Sequence, residues 1–516
     1  MAAGAWPEGW TWQHRRARPG SEKESERMTT ELESRPWAGK IFVDGEFRDA
    51  EGAQQTAVID KGRNEELART GVASPADLEG AVASARDAQP GWAAEGYDVR
   101  AGLLRRVAQL IEGRADEIAE LIVRETGCIR GKADYEVGAS MNELWEAAAL
   151  TSRATAEIVP SHNTGKLSLV QRIPVGVVGA ITPWNFPFIL GFRVVAPAIA
   201  LGNTVVMKPA PDTPITGALL IAELFAEAGA PPGILQVVSG GDEIGEHLVA
   251  HPAVSMIHFT GSSEVGREIA KVAGGQLKRV SLELGGNNAL IILDDADPDE
   301  ASMIGAWSAF HYQGQTCITA GRHIVARPLF DDYVKRLAER ASKITVGDPA
   351  TDEVGLGPMI SEAQRDRGHD LLERSIAAGA RVVEGGTYDG LFYRPTVVVD
   401  VTPEMPIWEE EIFAPIAPVL AVDSDEEALE LTNATDYGLV NAVLTASAER
   451  GLAFAEQVNA GMVHVNDATP LDEAHVPFGG IGASGLGGRA GGDANLEEFT
   501  ERRWIGVQRT KVEYPY

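Results

Sequence analysis

The sequence is short of cysteine. Two thiols in 516 residues, Cys128 and Cys317, cannot build a disulfide scaffold. They fit a reducing, cytoplasmic setting in which one or both are free to react. Basic residues are also scarce, 45 Lys and Arg against 75 Asp and Glu, for a formal net charge of −30. Such a chain repels phosphate backbones and anionic headgroups, so neither nucleic acid nor a membrane surface is expected as a partner. Long apolar runs are missing as well: the most apolar stretch, residues 194–201, falls far below the ~18 residues of a membrane span. Early basic residues (His14, Arg15, Arg16, Arg18) lead into Glu22, Glu24 and Glu26 and not into an apolar segment, which does not read as a secretory signal.

What is present is ordinary globular composition, 44% hydrophobic and 23% charged, which excludes wholesale disorder. The length predicts two to three domains. Residues 1–36 read as a flexible extension, with Met28 an alternative start. A hairpin is expected around Asp44-Gly45. Residues 75–122 turn helical, with Leu103, Leu104, Val107, Leu110 and Ile111 on one face, and a helix ending at Gly127. Residues 166–173 alternate like an exposed strand. Strands and helices then alternate twice. The first series has strands near 175–181, 204–207, 235–238 and 256–259. The second has strands near 289–293, 322–325, 396–399, 416–421, 442–445 and 463–466. That rhythm predicts an α/β fold of two Rossmann-like parallel-sheet domains with a cleft between them. Residues 479–493, rich in glycine, read as a loop.

Individual motifs leave more than one reading open. Cys317 lies in His311-Tyr-Gln-Gly-Gln-Thr-Cys-Ile-Thr-Ala-Gly-Arg-His323, among small residues that leave room for a substrate, yet a buried structural thiol fits too. Cys128, at a helix end, fits the structural reading better. Glu283, flanked by Leu282 and Leu284, would have a raised pKa and serve as a general base if it points inward, and would be unremarkable if it points out. Asn185, fixed between Pro183 and Pro187, could donate to an oxyanion, a contribution of ~3 kcal/mol, or simply make a turn. The stretch Phe259 to Gly266 follows a strand and opens a helix, so Gly261, Ser262 and Gly266 could approach a pyrophosphate. Gly480-Ile-Gly-Ala-Ser-Gly485 spells a dinucleotide fingerprint but lacks the preceding strand and following helix, and is set aside. His247 and His251 share helical spacing without a third ligand, so no metal is expected.

Seven motifs in order are far more specific than any one: Thr182-Pro-Trp-Asn-Phe-Pro187, Met207-Lys-Pro-Ala210, Phe259-Thr-Gly-Ser262, Leu282-Glu-Leu-Gly-Gly286, Gly314-Gln-Thr-Cys317, Glu411-Ile-Phe-Ala-Pro415 and Pro477-Phe-Gly-Gly480. Together, from about Trp37 to the C-terminus, they resemble the NAD(P)-dependent aldehyde dehydrogenase superfamily. The resemblance implies Cys317 as nucleophile, Glu283 as general base and Asn185 as oxyanion donor. It implies NAD as cofactor, with NADP possible, held by Trp184, Lys208, Gly241, Gly245, Gly261, Ser262, Gly266, Glu411 and Phe413. It also implies a cofactor domain (37–155 and 176–285), a catalytic domain (286–485) and an oligomerisation arm (156–175 and 486–516) in a homodimer or homotetramer.

Finer wording around Cys317, Lys208 and His475 resembles the bacterial benzaldehyde and vanillin dehydrogenase group. The implied substrate is an aromatic aldehyde, in a pocket formed by Phe186, Leu190, Thr316, Ile318 and Phe478. The sequence departs from the family at Pro211, where NAD-preferring members carry an acid, and at Asn287, Ala414 and Gly482, none of which is expected to touch the chemistry. Competing readings are a CoA-acylating enzyme, which often lacks the Glu base, a catalytically silent protein of the same fold, and a papain-like thiol hydrolase, which would leave the cofactor motifs unexplained.

Overall fold

The computed structural model describes residues 31–153 and 156–516. The expected extension lies outside them except at its end, and there the expectation fails. Leu32 and Trp37 are buried, and Arg35 pairs with Glu117 and Glu223, so packed structure begins before residue 37.

The helical region is four helices: α1 (Pro75–Ala94), α2 (Tyr97–Gly113), α3 (Ala115–Thr126) and α4 (Arg130–Leu150). Ser74 and Asp77 form a reciprocal capping box at the start of α1. The apolar face of α2 buries Leu103, Leu104, Val107 and Ile111, with Leu110 at its margin. Helix α3 stops at Gly127, whose φ of 71° suits glycine; a Cβ there would lie 2.7 Å from Pro358.

Two parallel sheets follow. The first contains β1 (Val177–Ile181), β2 (Thr204–Lys208), β3 (Leu235–Val237), β4 (Met256–Thr260) and β5 (Arg279–Glu283), in spatial order β3-β2-β1-β4-β5. The chain reverses direction across the sheet between β1 and β4. At such a switch point the carboxyl ends of the strands open a crevice suited to ligands. The second sheet contains β6 (Asn288–Ile292), β7 (Ala320–Ala326), β8 (Thr396–Val399), β9 (Ile416–Val422), β10 (Val440–Leu444) and β11 (Met462–Val465). Its order is β8-β9-β7-β6-β10-β11, with an antiparallel strand at Arg381–Glu384 beside β8. Four or five residues of β-branched and aliphatic side chains, buried on both faces, make these strands continuous apolar runs.

The Gly-rich stretch 479–493 is not a free loop. Ile481–Gly482 pairs with Tyr437–Gly438, and Gly485–Leu486 pairs with the end of β5. Residues 486–499 therefore pack on the first sheet. Only Thr500–Gln508 joins Lys166–Pro174 and Ala156–Val159 in a separate three-stranded antiparallel sheet. Among the described residues no helix is long and apolar enough to cross a membrane.

Candidate active site

Helix α5 (Pro187–Ala200) starts six residues after β1 ends, and the turn between them carries Trp184 and Asn185. Asn185 is buried. Its Nδ2 donates to the Gln315 carbonyl at 3.0 Å and its Oδ1 accepts from the Phe186 N–H at 3.0 Å. An amide nitrogen carries two protons, so one remains for a ligand.

Cys317 follows a turn in which Tyr312, Gln313 and Gly314 all have positive φ. Side chains hold that turn from several directions. Gln313 Nε2 donates to the carbonyls of Pro358 (2.6 Å) and Gly127 (3.3 Å), and Gln315 Oε1 accepts from the Ile360 N–H at 2.9 Å. Asn288, at the first position of β6, donates to the carbonyls of Cys317 (2.8 Å) and Thr319 (2.7 Å). Gly314 is small for packing and not for a substrate: a Cβ there would lie 2.2 Å from the Ala414 carbonyl.

The Cys317 thiol is half-buried against Ile318, Leu439, Val440, Phe478 and Met462. Burial, then the carboxylates of Glu411 and Glu283, push the thiol up to about 12, against an opposing pull from Arg193. Glu283 is the last residue of β5, and it points inward. Burial pushes its carboxyl up to about 8, and its Oε2 is buried without a hydrogen-bond partner. Glu411 is tied down: its Oε1 accepts from the Gly286 N–H at 3.0 Å, and a Cβ on Gly285 would collide with its carboxylate. Burial raises Glu411 to about 7.

The expected cofactor residues line the carboxyl end of the first sheet. Lys208 ends β2, buried, with no hydrogen bond to its ammonium among the described residues; burial lowers its pKa and Asp242 opposes this. Gly245, in the first turn of Asp242–Ala250, would place a Cβ 4.0 Å from the Lys208 stem, and Gly241 before it faces open space. An unpartnered ammonium beside an open glycine cradle fits an oxygen-rich ligand such as a ribose or phosphate. On the other side of β1, Ser262 caps the helix Ser263–Gly275 through the Val265 N–H (3.3 Å). Gly261 and Gly266 are glycine for packing: their Cβ atoms would meet the Phe259 ring at 2.4 Å and Leu284 at 2.5 Å. Trp184 meets Phe413 edge-to-face at 5.6 Å, bridging the two sheets across the crevice.

Of the expected pocket residues, Ile318 and Phe478 belong to the sulfur's apolar cluster, and Thr316, next to Cys317 in the chain, has a buried hydroxyl without a hydrogen-bond partner among the described residues. Phe186 and Leu190 lie outside that cluster. The Phe186 ring turns instead toward Tyr312 (5.4 Å) and the Lys132 ammonium (4.3 Å). His247 and His251 diverge to Glu243 and Glu79, and no group of three or more His, Cys, Asp or Glu able to hold a metal occurs among the described residues.

The family profile of the aldehyde dehydrogenases matches residues 47–505. The chain belongs to the aldehyde dehydrogenase family. It is 46% identical to a vanillin dehydrogenase from an Amycolatopsis strain, over 94% of this chain and 99% of that protein. It is 46% identical to an NAD(+) benzaldehyde dehydrogenase from Pseudomonas putida, over 93% and 98%. Its fold superposes on a Staphylococcus aureus betaine aldehyde dehydrogenase in complex with NAD+ with a TM-score of 0.92, at 29% identity over 95% and 99%.

Three side chains in this aldehyde dehydrogenase site escaped sequence reasoning. Arg193 is buried, stacks on the Phe478 ring at 4.6 Å, and pairs with Glu143 (3.2 Å) and Asp472. Its signal was a lone cation in the otherwise apolar α5. Lys132, which pairs with Glu136 one turn along its helix, carries no motif that marks it in the sequence, yet it is buried completely. Asn287, a departure from the family not expected to touch the chemistry directly, acts through the backbone: its Nδ2 donates to the carbonyls of Trp408 (2.7 Å) and Glu409 (3.2 Å), bracing the segment that carries Glu411.

Proposed function

We propose that this enzyme oxidises an aromatic aldehyde to its carboxylic acid with NAD as hydride acceptor. Cys317 is the nucleophile, Asn185 the oxyanion donor and Glu283 the general base. The observation that carries this reading is a partly buried thiol against an apolar wall, two residues from the Gln315 carbonyl that binds the buried Asn185 amide, and close enough to the buried, unpartnered Glu283 carboxylate to feel its charge. Similarity to a benzaldehyde and a vanillin dehydrogenase supports the aromatic substrate.

The Cys317 thiol first loses its proton to solvent; the thiolate sulfur then bonds to the carbonyl carbon while the carbonyl π pair moves to oxygen. The second Asn185 Nδ2 proton stabilises that oxyanion; a pre-positioned donor of this kind contributes about 3 kcal/mol. Bound NAD supplies the hydride acceptor; Lys208, Gly241, Gly245, Trp184, Glu411 and Phe413 would hold it. The enzyme-bound product is a Cys317 thioester. Glu283 takes a proton from water as the water oxygen attacks the thioester, the C–S bond breaks, and the acid leaves. Its unpartnered Oε2 is free to accept that proton, and a carboxyl near neutrality in pKa suits the task.

The antiparallel sheet of Ala156–Val159, Lys166–Pro174 and Thr500–Gln508 we assign to the oligomerisation arm: Ile158 and Trp504 stand 75% and 64% exposed on it, apolar area suited to a second copy. Pro211 supplies no acid to repel a 2′-phosphate, and the neighbouring Asp212 is taken by Lys61 at 2.9 Å, so NADP should be tolerated. Initial rates with benzaldehyde, vanillin and hexanal, each with NAD and NADP and with or without CoA, test the reading. NAD reduction with the two aromatic aldehydes, independent of CoA, is expected. Preference for hexanal would refute the aromatic substrate.

A further inference from the structure

Lys132 is buried to 0% exposure, an uncommon place for an ammonium. Its ammonium is tied to the segments that carry Asn185 and Cys317. Its Nζ donates to the backbone carbonyl of Asn185 at 2.7 Å. It lies over the Phe186 ring at 4.3 Å and over the Tyr312 ring at 4.2 Å. Its charge is neutralised by Glu136, one turn along α4. The second Glu136 oxygen accepts from the N–H groups of Phe188 (3.1 Å) and Ile189 (3.3 Å), the first turn of α5.

Asn185 and Cys317 come from different sheets, and their relative position depends on the contacts between their two segments. One is Asn185 Nδ2 to the Gln315 carbonyl. Others are the direct edge-to-face contact of Phe186 with Tyr312 (5.4 Å) and this ammonium, which lies over both rings, one from each segment. A cation between aromatic faces is attracted to both, and the hydrogen bond to the Asn185 carbonyl fixes where along the turn it sits. Tyr312 is itself held in a left-handed conformation at φ 49°, which its surroundings must enforce.

We propose that Lys132 is a positioning residue for the reaction: clamped by Glu136, it locks the Asn185 turn against the Tyr312 end of the cysteine loop and so aims the Asn185 amide at the oxygen of the Cys317 adduct. This rests on the assignment of Asn185 as oxyanion donor. Lys132 touches neither substrate nor cofactor in this role. Arginine is a poor substitute, because a planar guanidinium cannot present a compact charge to two ring faces and one carbonyl together.

The test is a double-mutant cycle read by the pre-steady-state NADH burst with benzaldehyde, on wild type, Asn185→Ala, Lys132→Met and the double variant. Lys132→Met is expected to slow the burst on the order of 10²-fold, the penalty of misplacing a reacting group by about an ångström. NAD affinity, measured by protein fluorescence quenching, should stay within about twofold of wild type, because the Lys208 end of the first sheet is untouched. The double variant should be no slower than Asn185→Ala alone, since a clamp has nothing to aim once the amide is gone. Should the two losses multiply, or the Lys132→Met burst match wild type, the clamp is wrong. If Lys132→Met does not accumulate as folded protein, Lys132→Arg takes its place in the same cycle, with the same non-additivity expected at smaller amplitude and multiplication again overturning the proposal. A normal burst in Asn185→Ala would instead refute the oxyanion assignment, and the clamp with it.

Discussion

The cysteine loop and the Lys208 end of the first sheet lie on facing sides of one crevice and are built on opposite plans. Around Cys317 side chains brace the backbone: Gln313, Gln315, Asn288 and Asn185 all spend hydrogen bonds on backbone carbonyls or N–H groups, while Gln313 Oε1, Gln315 Nε2 and the Thr316 hydroxyl stay buried without a partner among the described residues. Around Lys208 the ammonium is desolvated and unpartnered, and the glycines of the next helix leave space beside it. The difference follows from what each must do. A covalent step is lost by misplacement of about an ångström, so its loop is braced before substrate arrives. A site for a reversibly bound cofactor gains affinity from groups whose desolvation is already met by the fold and whose partner the ligand supplies. The two buried acids run the other way: on the cofactor side Glu411 is fixed by the Gly286 N–H, while on the thiol side Glu283 keeps an oxygen unpartnered, as a group that must accept a proton requires.

Several substitutions would break this comparison if it is wrong. Cys317→Ala should give the largest effect, abolishing aldehyde oxidation while leaving NAD affinity intact by fluorescence quenching. Glu283→Gln should lower steady-state turnover by about 10²–10⁴-fold, the usual worth of a general base, yet retain the NADH burst, because hydride transfer precedes its step. Turnover at the wild-type rate would remove Glu283 from the mechanism. Lys208→Met should act on the other side of the crevice, raising the KM for NAD about tenfold with kcat little changed, as expected for lost uniform binding.

A smaller effect sharpens the contrast in pH. With the thiol at about 12, its ionised fraction climbs throughout the neutral range, so iodoacetamide alkylation of Cys317 should speed up about tenfold per pH unit. The smallest is in stability. The Glu283 carboxyl is raised in the fold, so ionisation opposes folding. The fold is favoured by this group below its unfolded pKa, and the penalty accumulates as pH rises from about 4.5 toward about 8. Glu283→Gln should therefore stabilise the fold at neutral pH, by on the order of 3 kcal/mol, read as a higher midpoint of thermal unfolding at pH about 7 and no change at pH about 4.

The strands were readable because parallel strands buried on both faces are runs of Val, Ile and Ala, and the α/β alternation follows from their spacing. Segment ends were less so. The Arg279–Glu283 strand reads as a motif and not a strand, since Arg279, Ser281 and Glu283 break the apolar run. Glycine was read too chemically: Gly261, Gly266 and Gly314 are small because Phe259, Leu284 and Ala414 press against them.

The sequence by itself determined the class of fold and the family, because each rests on local pattern and on motifs in order along the chain, and those motifs also nominated the residues proposed for the chemistry. Only the tertiary structure decided which way Glu283 points, that Phe186 turns toward Lys132 and away from the sulfur's apolar cluster, that residues 479–493 are woven into strands, and that Lys132, Arg193 and Asn287 belong to the site. Those facts depend on contacts between residues 50 to 300 positions apart, such as Lys132 with Asn185 or Arg193 with Asp472. A long-range ion pair and a solvated one look the same in one dimension; burial, which separates them, exists only once the chain has closed around them.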